Sequence, residues 1–346
     1  MLFCKVFITL VTCFSGVAAI LTPLPPCDTS RGLTREQVKL CNEFYNHMQY
    51  IMDGKQISLN ECKKRFAGRR WNCTFPHQDL KPVLRPKMTL ATRETGVVNA
   101  MTSAGAMHTI SRACMENKLA SNCACSEESR PANLPSQHVW GGCGDNLPYG
   151  YKFSKRFTDA SEELLEESLE SFSKVLMNLH NNEVGRWAVY EKSIIQCRCH
   201  GASSNCATKM CYRQLGNFKE VGKYLDERYQ GAIQVKLVQK GEQENTEMKL
   251  VEFDPSYIKY TPKDLIYLKE SPSYCHRDLS IGSFGTSGRK CQTGTNSLNH
   301  CNHICCDRGY QTRLQLIREK CGCQFIWCCE VKCKMCETEQ NVHYCK

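Results

Sequence analysis

Residues 196–211 read Gln196-Cys197-Arg198-Cys199-His200-Gly201-Ala202-Ser203-Ser204-Asn205-Cys206-Ala207-Thr208-Lys209-Met210-Cys211. Two cysteines precede a short polar stretch and two follow it. Pairing Cys199 with Cys206 inside Cys197 with Cys211 would make a doubly stapled hairpin with Ser203 at or near its tip. Such a loop suits the presentation of one side chain in a fixed direction. Three readings compete for Ser203. A hydrolase nucleophile would need an activating base and a Gly-x-Ser-x-Gly elbow, whereas the chain has Gly201-Ala202-Ser203-Ser204-Asn205. His200 is near in sequence, but three positions away on a stapled turn it is poorly placed to act as that base. The other readings are an ordinary turn serine and a covalently modified one. A second cluster, Cys323-Gln324-Phe325-Ile326-Trp327-Cys328-Cys329-Glu330-Val331-Lys332-Cys333, sets three large apolar residues around an adjacent cysteine pair with little room for a core behind them. Local packing and an exposed interface are both open for it.

The elements that must position these residues depend on the compartment. Lys5 precedes an apolar run, Val6 to Val17, that ends in small residues at Val17, Ala18 and Ala19. The run is shorter than the roughly 18 to 20 apolar residues of a membrane anchor. Residues 1–19 are therefore expected to be a signal peptide cut after Ala19. Of the 26 cysteines, Cys4 and Cys13 fall in that leader, which leaves an even set of 24 for a disulfide framework in an oxidising compartment. Cys333-Lys334-Met335-Cys336 has a zinc-knuckle spacing but no matched second pair, and the neighbours Cys305-Cys306 and Cys328-Cys329 fit tetrahedral ligation poorly, so no metal is expected. The formal charge of +10 suits anionic surfaces such as sulfated glycans. Plain solubility is the other reading of that charge, and no nucleic-acid partner is expected.

Cysteine spacing also divides the chain. Twelve mature cysteines run from Cys27 to Cys211, none follow until Cys275, and twelve more crowd into Cys275 to Cys345. The expected organisation is a helical domain over 20–237 carrying the 197–211 hairpin, a polar link over 238–257, and a cysteine-rich domain over 258–346. The fold class is α+β. Thr34 with Gln37 makes a capping box, and Val38, Cys41, Phe44, Met48 and Ile51 follow at helical steps. A second helix is expected from Glu94 to Cys114, where small residues permit close packing. A third is expected from about Ser161, with Leu165, Phe172, Val175 and Leu179 on one side and Glu162, Glu163, Glu166 and Glu167 near its positive end. In the last domain cysteine density far exceeds the roughly 8 to 10% that marks a disulfide scaffold, so short stapled β-hairpins are expected in place of an apolar core.

Several further motifs point one way. They are Arg69-Arg70-Trp71-Asn72-Cys73, Arg93-Glu94-Thr95, Trp140-Gly141-Gly142-Cys143-Gly144-Asp145-Asn146, and Asn178-Leu179-His180-Asn181-Asn182-Glu183. Gly282-Ser283 with Gly285-Thr286, Cys305-Cys306 before Arg308-Gly309-Tyr310, and Trp327-Cys328-Cys329 before Val331-Lys332-Cys333 complete the set. Together with the 197–211 hairpin they span nearly the whole mature chain, which closely resembles the Wnt family of secreted, lipid-modified signals. Wnt proteins carry Cys-His-Gly-x-Ser-Gly-Ser-Cys in this hairpin and attach a mono-unsaturated fatty acid to the first serine. The resemblance thus implies an O-palmitoleoyl group on Ser203, with Ser204 as the second candidate acceptor. Ser204 stands where the family has glycine and Asn205 where it has the second serine.

The resemblance also implies a non-enzymatic ligand of the extracellular space and matrix. Its lipid would dock in the cysteine-rich domain of Frizzled receptors after attachment by the acyltransferase Porcupine and escort by Wntless. A second fingertip would place Phe325, Trp327 and Val331 on the receptor, with a bond between Cys328 and Cys329, while another surface recruits a co-receptor of the LDL-receptor-related class. At about 0.8 kcal/mol per buried CH₂, the acyl chain would offer on the order of 10 kcal/mol of transfer free energy, enough for reversible peripheral membrane attachment or for filling a receptor groove. No dissociable cofactor is implied. The rival is a disulfide-rich secreted lipid hydrolase using Ser203 and His200. Asn72-Cys73-Thr74 is an N-glycosylation acceptor sequence, against whose use stand an expected bond at Cys73 and expected burial of Trp71 and Phe75.

Overall fold

The computed structural model describes residues 27–29, 32–75, 88, 90–162, 168–200, 206, 208–240, 247–256, 258–294 and 297–346. The leader and the glutamates at 163, 166 and 167 lie outside that set. Helix α1 (Arg35–Glu43) starts on the expected box: Gln37 N–H donates to Thr34 Oγ1, and Thr34 N–H donates to Gln37 Oε1, both at 3.2 Å. The helical stripe does not run straight on. It breaks at Phe44 (φ −120°, ψ 46°), passes through a 3₁₀ turn, and resumes as α2 (Met48–Phe66). The break tucks His47 against the Phe153 ring, with 4.5 Å between centroids, and within 2.8 Å of the Tyr149 hydroxyl. Burial holds the His47 imidazole well down, at about 4, so it stays neutral.

Helix α3 (Arg93–Met115) is the axis of the body, buried on nearly every side. Its small residues are the reason. A Cβ on Gly105 would lie 2.0 Å from Ser58 Oγ, and one on Gly185 would lie 1.9 Å from the Ala100 carbonyl oxygen, so α2 and the later helix α5 rest directly on the α3 backbone. Strand β1 (His138–Trp140) and helix α4 (Leu147–Asp159) follow, then α5 (Leu169–Glu191). The third helix expected from Ser161 begins instead at Leu169, capped by the Ser168 hydroxyl, which accepts the Ser171 N–H at 3.1 Å. The short polar side chain at Ser168 supplies a better start than the preceding acidic run. Next come β2 (Ile194–His200), β3 (Thr208–Gln214) and α6 (Phe218–Gln230), which closes the body over Trp71, Val97 and Leu147.

The polar link expected over 238–257 is corrected at 238–240 and 247–252, which are strand. Strands β4 (Ile233–Lys240) and β5 (Glu247–Glu252) pair antiparallel, and β6 (Ile266–Tyr267) joins β4 in parallel. Val235, Leu250 and Ile266 pack with Met177 of α5, so the apolar side of this small sheet belongs to the helical body. Asn181 clasps its last strand by accepting the Ile266 N–H at 3.0 Å and donating to the Ile266 carbonyl at 2.9 Å.

Beyond it, β7 (Arg277–Asp278), β8 (Ser283–Phe284), β9 (Lys290–Cys291) and a one-turn helix α7 (Cys301–Ile304) gather around Cys291, Cys301, Ile304, Cys305 and Cys345. Bonds Cys275–Cys306, Cys291–Cys301 and Cys305–Cys345 do here what a larger apolar core does elsewhere. Arg289 ties this knot to the end of α2 by donating to the carbonyls of Ala67, Arg69 and Arg70. The chain ends in one long hairpin, β10 (Tyr310–Ile326) and β11 (Glu330–Cys345). Among the described residues, no helix is long and apolar enough to cross a membrane.

Candidate functional site

Two stapled hairpins project from this frame. In the first, β2 and β3 pair antiparallel with Cys197 opposite Cys211, and the bonds Cys197–Cys211 and Cys199–Cys206 cross it at Cα separations of 4.0 and 5.0 Å. Ser203, Ser204 and Asn205 lie outside the described residues, as does the His200 side chain; the frame on either side of them, through Cys199 and Cys206, is fixed. Its base is buttressed. Strand β1 adds to β3 in parallel, His138 opposite Lys209 and Trp140 opposite Cys211. The Trp140 indole N–H donates to the Glu128 carbonyl at 2.7 Å, and the Glu128 carboxylate accepts from Arg213 of β3 at 2.8 Å.

Asp145 completes the buttress. Its buried carboxylate accepts the Leu215 N–H at 2.8 Å, just past β3, and pairs with Arg112 of α3 at 2.9 Å. Burial raises this carboxyl from its ordinary range, opposed by that N–H and by Arg112. A Cβ on Gly144 would lie 2.5 Å from the Arg213 carbonyl oxygen, so only glycine lets the segment run against β3. Bond Cys125–Cys143 pins the same segment. The Trp140 to Asn146 motif, legible in the sequence without a role, is therefore the support of the first hairpin.

The second hairpin carries the other candidates. Phe325 and Val331 lie directly opposite one another, and the ladder ends at Ile326 opposite Glu330. Trp327 stands at the tip 91% exposed, with Phe325 at 68% and Val331 at 60%. Local core packing is thus excluded for all three. Bonds Cys321–Cys336 and Cys323–Cys333 staple the strands beneath them, which commits both cysteines of the zinc-like spacing. The expected bond between Cys328 and Cys329 is absent, a second correction: the two are free thiols with sulfurs 3.9 Å apart. Adjacent Cα atoms lie only about 3.8 Å apart, short of the usual span of about 4.4 to 6.8 Å for a disulfide. Both residues turn the chain at positive φ, 81° and 100°. Asn72 is half-buried between buried Trp71 and the Cys62–Cys73 bond.

A helical body and a disulfide knot, each holding out a stapled hairpin, define a presenting scaffold, that is, a ligand. The wnt family model matches residues 29–346. The chain is 41% identical over 329 residues to Protein Wnt-5a of Homo sapiens, covering 94% of this chain and 84% of that one. The same identity over 329 residues relates it to human Protein Wnt-5b, with 94% and 89% covered. Among solved structures it is similar to one of human WLS in complex with WNT8A, with a TM-score of 0.57, 33% identity, and 86% of this chain and 93% of that chain covered. The chain belongs to the Wnt family. It is a signalling ligand of that secreted family, and the hydrolase alternative has no support among these relatives.

Proposed function

We propose that this Wnt ligand acts by gripping the cysteine-rich domain of a Frizzled receptor at two separate points, without catalytic turnover. The first hairpin carries a palmitoleoyl group on Ser203 that fills an apolar groove of the receptor. The second hairpin presses Phe325, Trp327 and Val331 against the opposite side, and a further surface recruits an LDL-receptor-related co-receptor. Porcupine attaches the lipid, and Wntless carries the chain out; the likeness to a WNT8A solved with WLS supports the second step. Outside the cell, the lipid and the net charge of +10 favour membrane surfaces and the sulfated glycans of the matrix.

The observation that carries the reading is Trp327, a large aromatic held 91% exposed on a hairpin with two disulfides beneath it. An exposed tryptophan on a rigid support is an interface anchor awaiting its partner. The lipid is tested on the secreted protein by mass spectrometry of the 197–211 peptide. The expected result is the mass of a mono-unsaturated acyl group on Ser203, retained in Ser204→Ala and lost in Ser203→Ala. Recovery of the bare peptide from active protein would remove the lipid from the account.

A further inference from the structure

Strand β10 lies at the edge of its sheet, in the order β10-β11-β9, so one side of a 17-residue strand has no neighbour. Nearly every residue along it is exposed on the faces as well. Such an edge is a template for another strand unless charge, proline or a bulge guards it. A bulge sits only near the tip, between Cys321 and Gln324, and the strand contains no proline. The charges that remain are Arg313, Arg318, Glu319 and Lys320. Arg318 is paired across the hairpin with Glu337 at 2.6 Å, whereas Glu319 makes no ion pair among the described residues.

These side chains match a second copy of the same strand. Two identical strands related by a two-fold axis pair antiparallel, with one residue facing itself and the others facing in reciprocal pairs. With the axis at Leu316, Arg313 of each copy lies opposite Glu319 of the other, twice over. On the other face Leu316 meets Leu316 with Leu314 diagonal to it; these leucines are 52% and 65% exposed in the single chain. A shift of the axis to Arg318 would set two guanidiniums face to face, and one to Ile317 would leave Arg313 opposite Cys321. We infer that the β10 edge is a self-association surface, on which two copies of this chain pair antiparallel about Leu316 into a four-stranded central sheet with their fingertips pointing in opposite directions.

Charge reversal tests the register. The secreted full-length chain is studied by sedimentation velocity in detergent, which suppresses association through lipid, alongside pull-down between differently tagged copies. Wild type is expected to self-associate. Arg313→Glu or Glu319→Arg alone turns both symmetric pairs into like charges and should weaken association about tenfold or more. The double variant Arg313→Glu/Glu319→Arg should restore it, and Leu316→Glu, which sets two carboxylates face to face on the axis, should abolish it. All three sites are exposed, and secretion with an unchanged disulfide map checks folding. A wild-type chain that stays monomeric, association indifferent to every variant, or a double variant as weak as the single ones would overturn the inference.

Discussion

Trp327→Ala is expected to lower affinity for a purified Frizzled cysteine-rich domain by about thirtyfold or more, equivalent to the 2 kcal/mol that marks an interface hot spot. The size of the effect follows from where the side chain stands. Trp327 lies beyond the last ladder pair, Ile326 opposite Glu330, and is 91% exposed. Most of its surface is therefore available for burial by a partner, and the Cys323–Cys333 and Cys321–Cys336 bonds limit the conformational freedom lost on docking. Because the ring supports little of the fold, secretion and thermal stability should stay at wild-type levels. Phe325→Ala and Val331→Ala should give smaller losses from the flanking cross-strand pair. Titration of immobilised receptor domain gives the answer, and unchanged binding by a secreted Trp327→Ala protein removes that residue from the interface.

The largest loss of stability is expected from Arg186→Met. Arg186 is 1% exposed, and its guanidinium donates to both oxygens of Asp159 at 3.0 and 3.1 Å and to Glu183 at 2.9 and 2.7 Å. It also reaches Ser103 of α3 and Thr158 of α4, so one side chain joins three helices. Methionine fills similar space but leaves two half-buried carboxylates without a cation. Breaking such a group from one side costs about 3 kcal/mol or more. For a body of this size that corresponds to a fall of roughly 6 to 12 °C in the unfolding midpoint. Arg186→Lys should fall between, since it keeps the charge and loses the fork.

The loss should also depend on pH. Burial alone would raise the Glu183 carboxyl, but the Tyr151 hydroxyl and Arg186 together hold it below the ordinary range. A depressed folded-state pKa contributes stability above the ordinary carboxyl range and loses it as pH falls through the folded value. The gap between wild type and Arg186→Met should therefore be widest near neutrality and narrow in acid. Thermal unfolding followed by circular dichroism from pH 7 down to about pH 3 checks both size and sign, and a gap that does not change with pH would contradict the ionic account.

How far the sequence reached depended on the range of the interactions. The capping box at Thr34 and the small-residue stripe of α3 are local patterns, and each marks the element it should. The break at Phe44 was not legible, and the ring against which it sets Phe44 and His47, that of Phe153, lies over a hundred residues away. The asparagines of α5 were visible as a motif but not as fasteners. Asn178 accepts from Asn99 at 2.6 Å and Asn181 clasps Ile266, and neither partner leaves a local trace. The polar composition of 241–245 stands between two runs that carry another signal: Val235 and Leu237, and Met248 and Leu250, alternate with a period of two. That pattern marks strands, and it places Ile233–Lys240 and Glu247–Glu252 in the body despite the absence of cysteines.

Of the candidate site, the aromatic cluster was visible in the sequence, but large apolar residues with little core behind them fitted local packing as well as an interface, and their exposure follows only from the structure. Its supports were less so. Asp145 and Gly144 stood in a quoted motif, but that they brace the first hairpin follows only from their contacts with Arg213 and Leu215, some seventy residues on. The stiffness expected from a bond between Cys328 and Cys329 comes instead from the Cys321–Cys336 and Cys323–Cys333 bonds below them.

The two-point grip is tested most directly by equilibrium titration of a purified Frizzled cysteine-rich domain with four secreted proteins: wild type, Ser203→Ala, Trp327→Ala and the double variant. Two separate contacts on one rigid body predict that each single change weakens binding and that their losses combine to leave the double variant without measurable affinity. Wild-type affinity in either single variant would contradict the grip.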